Sequence, residues 1–290
     1  MKTLDLTVLA FDGPIVSAYL HQLRDAGYKP RKIVRLCLPL AGNRGRMLEK
    51  VVGRNLARMV EGKWKRIYSS RRNLPGELVS LTQRLAAGRF NTVHRYEDFT
   101  DEFEVHYAET INDQSVVDYM RSHEEEKLYL FTGGGILRPP ILSIPHVKFL
   151  HIHPGVVPDV RGSHCLLWSL LVRGCPGMSC FYMNAGIDTG EVLATQEYPR
   201  PVFPKDAVQR FGADAIIKAL LQVFDPILRG RALINVVKNM EEQGLFFEDL
   251  PSLPQDSSEG RTYYFMHERM MARLAEILCS GESSQCQRTG

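Results

Sequence analysis

The feature that most constrains this chain is its opening unit, a strand, a turn, a helix and a second strand. Leu4-Asp5-Leu6-Thr7-Val8-Leu9-Ala10-Phe11 predicts a buried strand, Asp12-Gly13-Pro14 a turn, residues 15–26 an amphipathic helix stopped by Gly27, and residues 32–38 the next strand. A β-α-β unit joins two parallel strands by a crossover, so its continuation is a sheet with helices on its faces. Alternation persists downstream. Helices are expected near 77–87 and over 115–122, strands near Thr92 and over 127–132, 147–152, 178–183 and 192–198, and helices opening at 136–140 and around 165–173. From Asp206 the pattern turns helical, over 208–228, 232–240 and 266–278, with a polar connection at 241–264. The expected fold class is therefore α/β: an open, mostly parallel twisted sheet with helices on both faces, plus a C-terminal helical extension.

Composition removes other classes. The 290 residues can bury a large core without staples, and 44% hydrophobic with 24% charged residues is ordinary for a globular protein. The longest apolar run, 165–172, is broken by Ser169 and falls far short of the roughly 20 residues a membrane span needs. No export signal is read in Met1 to Thr7, and no C-x-x-C pair occurs among the six cysteines, so the expected setting is the cytoplasm, with no membrane partner. The formal charge of +3 hides an asymmetry: between Arg44 and Arg72 ten basic residues face two acidic ones. Arg46, Lys50, Arg54 and Arg58 recur every four residues, which marks either a solvated helix face or a surface for phosphate or an RNA backbone.

Three loops qualify as a site, because ligands of open parallel sheets bind beyond the carboxyl ends of the strands. They are Gly133-Gly134-Gly135, His153-Pro154-Gly155 and Gly186-Ile187-Asp188-Thr189-Gly190. Consecutive glycines let a flat ligand approach the backbone, and they match neither dinucleotide nor nucleoside triphosphate fingerprints. His151-Ile152-His153 ends an apolar strand, where alternate residues share a face, so both imidazoles are expected on one pocket wall. They could be hydrogen-bonded structural residues, ligands of a metal completed by Asp188 or His164, or acid-base groups with Asp188 as carboxylate partner. No metal is expected, since no second cluster of Cys, His or Glu has ligand spacing. Asp188-Thr189-Gly190 also spells the aspartic protease tripeptide, but one copy in an α/β pattern does not supply the required pair of carboxylates.

Taken in order, Gly133 to Pro139, His151 to Pro158 with Arg161-Gly162, and Gly186 to Leu193 resemble the formyltransferase family that uses 10-formyltetrahydrofolate. The resemblance covers roughly residues 110–200 well and the N-terminal unit more loosely. It implies a Rossmann-like catalytic domain over 1–204; the sequence pattern, not the resemblance, adds a helical extension over 205–280 packed on that domain and a disordered tail over 281–290. It also implies the co-substrate 10-formyltetrahydrofolate and a catalytic trio. His153 and Asp188 stand where the family has its histidine and aspartate, and His151 stands where the family has asparagine. The asparagine amide donates to the formyl oxygen, and an imidazole can donate likewise, as imidazolium or as the right neutral tautomer. The pterin is expected against Gly134, Gly135, Ile136 and Leu137 and against Met183, Asn184, Ala185 and Gly186, with Arg161 and His164 on the acceptor side. Because residues 205–290 read helical rather than as a β-barrel, a small-molecule amine acceptor is expected and tRNA disfavoured, with a homodimer left open. Two alternatives share the site: a hydrolase that passes the formyl group to water, metal-assisted or not, and a degenerate homologue that only binds folate.

Overall fold

The computed structural model of the chain describes residues 1–39, 42–53, 56–57, 74–256 and 258–281. In chain order the first half contains β1 (Lys2–Ala10), α1 (Pro14–Asp25), β2 (Tyr28–Cys37), α2 (Gly42–Val52), α3 (Gly76–Leu85), β3 (Glu102–Tyr107), α4 (Gln114–Ser122) and β4 (Leu128–Phe131). There follow α5 (Pro139–Leu142), β5 (Lys148–His153), β6 (Val160–Gly162), α6 (Cys165–Val172), β7 (Gly177–Tyr182) and β8 (Val192–Glu197). The last third holds α7 (Ala207–Phe211), α8 (Ala213–Ala219), a π-helical turn over Leu220–Phe224, α9 (Asp225–Glu242), β9 (Arg261–Tyr263) and α10 (Glu268–Cys279).

Seven strands form one sheet in the order β3-β2-β1-β4-β5-β7-β8, and β6 pairs with β9 as a separate parallel ribbon. The first five strands are parallel, while β7 and β8 are added antiparallel. Strand order runs outward from β1 to β2 and β3, then returns to β4 and β5 on its other side. The crevice between the ends of β1 and β4 is thus the topological switch point, where open α/β sheets bind ligands. Thr132 closes it from behind: its hydroxyl accepts from the Phe11 N–H and donates to the Leu9 carbonyl, both at 3.0 Å.

Side chains alternate across the sheet as a period of two requires. Leu6, Val8, Leu150 and Ile152 enter one core with residues of α1, α6 and α9. Leu9 and Phe149 enter the other, against Val116, Val117 and Met120 of α4 and Ile141 of α5. Helix ends follow local chemistry: Pro14 opens α1, and the Asp113 carboxylate caps α4 by accepting from the Ser115 N–H.

Several expectations shift. No strand forms near Thr92; the edge strand is β3, ten residues later. The helix expected over 208–228 is interrupted at Gly212, with φ +83°, and continues through the π turn directly into α9. The connection expected over 241–264 contains β9. Most of the basic stretch from Arg54 to Arg72, and the tail beyond residue 281, lie outside the described residues. No helix of the described residues is long and apolar enough to cross a membrane.

Candidate functional site

A cavity of about 550 Å³ opens at the switch point, within the range of small-molecule sites. The loop after β4, the end of β5, the loop before β8, the π turn with α9, and the segment around β9 all contribute to its wall. Each glycine of the β4 loop has its own reason. A Cβ at Gly133 would meet the Phe11 ring at 2.7 Å, Gly135 holds φ +114°, and a Cβ at Gly134 would project into open space. The loop is tied from α4's side by Asn112, which donates to the Ile136 carbonyl and accepts from the Arg138 N–H.

His151 and His153 share the face of β5 that carries Phe149, with ring centroids 6.4 Å apart. His153 is 2% exposed, and its Nε2 lies 3.0 Å from the Val160 carbonyl. A carbonyl only accepts, so Nε2 carries the proton and Nδ1 presents its lone pair. That lone pair faces Asp188 Oδ2 at 3.5 Å. Gly155 makes this possible, since a Cβ there would stand 2.5 Å from the Val160 oxygen and 3.0 Å from Nε2. The Ser179 hydroxyl fixes the same turn by donating to the Gly155 carbonyl and accepting from the Val157 N–H.

Asp188 sits at φ +53°, a left-handed conformation uncommon outside glycine that aspartate tolerates better than most side chains. Its Oδ2 accepts from the Gly162 N–H at 2.9 Å, and Gln255 donates to the carbonyls of Asp188 and Gly190. Two segments therefore hold the carboxylate toward the imidazole, Gly162 at its oxygen and Gln255 at the backbone that carries it. One donor atom each from His151, His153 and Asp188 lies within 4.8 Å of the others.

Below the imidazoles lies a buried ion pair. Arg229 Nε bonds both oxygens of Asp225 at 3.1 and 3.0 Å, and its Nη1 donates to the Ile152 carbonyl at 2.5 Å. Burial first, and then the Arg229 charge, hold the His151 imidazole well below its usual value of 6.5. Burial also lowers His153, with Asp188 pulling the other way. Both rings are thus neutral near pH 7, which selects the neutral tautomer among the forms expected of residue 151. The His151 Nδ1 is buried and makes no hydrogen bond, so Nε2 is the nitrogen left for the cavity.

Of the remaining residues expected at the site, Gly134, Gly135, Ile136, Met183 and His164 line the cavity. Leu137, Asn184, Ala185, Gly186 and Arg161 do not. Leu137 is 2% exposed and packs into the second core. Asn184 is spent on its own loop, accepting from the Gly186 N–H and the Thr189 hydroxyl, and a Cβ at Gly186 would strike that hydroxyl. Arg161 is buried and donates to the Glu259 carbonyl, because β6 turns it toward the loop that precedes β9. Sequence reasoning missed Asp225 and Arg229, although an i, i+4 acid-base pair between apolar neighbours marks a helix carrying a buried charge. It also missed Tyr263, Tyr264 and Phe265, which lie on the wall because β9 pairs with β6.

An open, mostly parallel sheet thus brings a glycine loop, two imidazoles and a carboxylate together at its switch point, the ligand position of doubly wound folds. The family model described as formyl transferase matches residues 71–216, half of the chain. The chain belongs to the formyl transferase family. Among curated relatives, a methionyl-tRNA formyltransferase of Syntrophus aciditrophicus (strain SB) is 26% identical over 116 residues, covering 38% of this chain and 37% of the relative. One from Chloroflexus aurantiacus is 29% identical over 118 residues, covering 39% and 38%. The chain thus spans well under half the length of these relatives. A sugar N-formyltransferase from Shewanella sp FDAARGOS_354 superposes with a TM-score of 0.42 at 12% identity, covering 96% of this chain and 88% of that one.

These relatives correct one expectation. A helical C-terminal third does not make tRNA a disfavoured partner, since the curated relatives named here are methionyl-tRNA formyltransferases. The inference failed because it drew on residues after 204, most of which lie outside the matched stretch.

Proposed function

We propose that this protein transfers a formyl group from 10-formyltetrahydrofolate to a primary amine. The observation that carries the reading is the convergence of His151, His153 and Asp188 on one cavity beside the glycine loop. The cavity fits a flat donor: Gly134 leaves room against the backbone, and Ile136 offers an apolar edge, 62% exposed. When bound, the donor supplies the formyl group and departs as tetrahydrofolate.

The chain's own residues then divide the work. His151, neutral and protonated on Nε2, donates to the formyl oxygen as negative charge gathers there, a contact typically worth about 3 kcal/mol. His153 cannot donate from Nδ1, because Nε2 already holds the proton and the Val160 carbonyl. Its Nδ1 is instead a base, placed to take the proton that the attacking amine must shed. A neutral Nδ1 and a carboxylate 3.5 Å apart present two lone pairs to each other, an arrangement relieved when an N–H enters between them. Asp188 therefore stabilises the imidazolium that forms on proton transfer, and that proton goes on to the departing N10.

The test incubates the full chain with 10-formyltetrahydrofolate and a panel of amines that includes amino sugars, amino acids and methionyl-tRNA. Mass spectrometry showing one formyl group added to a member of the panel supports the reading. Formate production without any formylated acceptor would replace it with hydrolysis at the same site.

A further inference from the structure

We propose that His151, His153 and Asp188 bind a divalent transition cation, with Zn²⁺ as the reference ion, and that cation and formyl donor exclude one another at this position. Only the second clause rests on the formyl-transfer reading. Where residue 151 is an asparagine, the trio offers one imidazole nitrogen, one carboxylate and only the weakly basic oxygen of an amide. An imidazole converts the same constellation into two histidines and one carboxylate, a donor set that suits zinc and neighbouring first-row metals.

The geometry meets the requirements of such a site one by one. The three donor atoms lie within 4.8 Å of one another across a cavity wall. The His153 Nδ1 to Asp188 Oδ2 separation of 3.5 Å is close to the roughly 3.3 Å edge of a tetrahedron with ligands about 2.0–2.1 Å from zinc. His153 donates its other ring N–H to the Val160 carbonyl, the outer contact that fixes the tautomer of metal-bound histidines and aims the free lone pair. Asp188 Oδ2 is likewise oriented, by the Gly162 N–H. His151 can offer Nε2 as the third donor once its proton sits on Nδ1, a buried nitrogen that no hydrogen bond holds.

Arg229 places positive charge beside both imidazoles, partly offset by the Asp225 carboxylate that holds it on both oxygens. Asp188 supplies the remaining negative charge. With three protein donors, a fourth position stays open toward the cavity, where water or a ligand would complete the shell. With its proton on Nδ1 and its Nε2 lone pair on a metal, His151 has no N–H to offer a formyl oxygen, which is why the two occupants compete.

The experiment titrates the chelator-treated full chain with Co²⁺, read by its visible d–d absorption, and with Zn²⁺ by calorimetry, with no folate or amine present. One tight equivalent is expected, weakened at least roughly 100-fold in His151→Asn, more than the loss of an outer contact costs. Asp188→Asn is measured beside it, and circular dichroism verifies that each variant is folded. His123→Ala, which removes the other candidate cluster of His123, Glu125 and Glu126, should bind as the parent does. A parent chain that takes up no cation, or a His151→Asn variant that binds as tightly as the parent, overturns the site. Tetrahydrofolate should raise the apparent Kd for Zn²⁺; simultaneous, independent binding overturns the competition. Formyl transfer is assayed separately in chelator, so its failure leaves these binding results intact.

Discussion

The backbone carbonyl of Val160 decides what His153 can do. By accepting from Nε2 it leaves the lone pair on Nδ1, which in the proposed reaction makes the ring a base rather than an oxyanion donor. His153→Ala and Asp188→Asn are accordingly expected to lower kcat for formyl transfer by about 10²–10⁴ fold, measured by single-turnover kinetics on folded protein. A loss confined to KM would contradict the assigned roles. The lowered imidazoles also bear on stability. The folded chain resists protonating His151 and His153, whereas the unfolded chain takes up those protons near the usual value of 6.5. Their contribution is therefore fully present above that pH and lost progressively as pH falls below it. Urea unfolding at pH 7.5 and at 5.5 should show a drop that His151→Asn reduces; an equal drop in the variant would show that burial of this ring is not its source.

At the scale of elements, β5 shows what a single sequence can reveal. Leu150 and Ile152 face one core while Phe149, His151 and His153 share the other face, so a period of two placed both imidazoles together before any coordinates. β3 was illegible for the opposite reason: Glu102-Phe103-Glu104-Val105-His106-Tyr107 is a half-exposed edge strand whose partner, β2, supplies the burial its own pattern lacks. The β6–β9 ribbon escaped because three-residue strands carry no period, and their pairing joins residues about a hundred apart. That ribbon rests on Gly162, at φ +101° with a Cβ position 2.2 Å from the Tyr263 carbonyl. Gly162→Ala should cost about 1–3 kcal/mol and loosen the wall that holds Tyr263 and Phe265. Thermal unfolding together with protease sensitivity near residue 260 measures both effects, and an unchanged Tm would show that the ribbon is dispensable.

Across the whole molecule, the helices after residue 204 and the sheet are not separable in packing. Phe224, Ile227, Leu233 and Leu274 are fully buried in the core that holds Leu6 and Val8, and Arg229 reaches from α9 to the β5 backbone. A chain ended at residue 204 is therefore expected to lose cooperative unfolding and bind hydrophobic dyes, whereas a sharp transition in that fragment would mark the first 204 residues as self-sufficient. Sequence periodicity marked these segments as helices, but nothing local could show that Asp225 and Arg229 would lie under the imidazoles, since the sheet is what brings positions 152 and 229 together. For the same reason the trio was legible as a set of motifs, while the roles within it waited on Val160 and Gly162.

The most direct measurement follows tetrahydrofolate and formate together while the full chain meets 10-formyltetrahydrofolate with and without an amine in a chelating buffer. Tetrahydrofolate should appear only when the amine is present, in step with formylated product, and Asp188→Asn should suppress both. Equal tetrahydrofolate release without the amine, accompanied by formate, would contradict transfer to an amine as the work of this site.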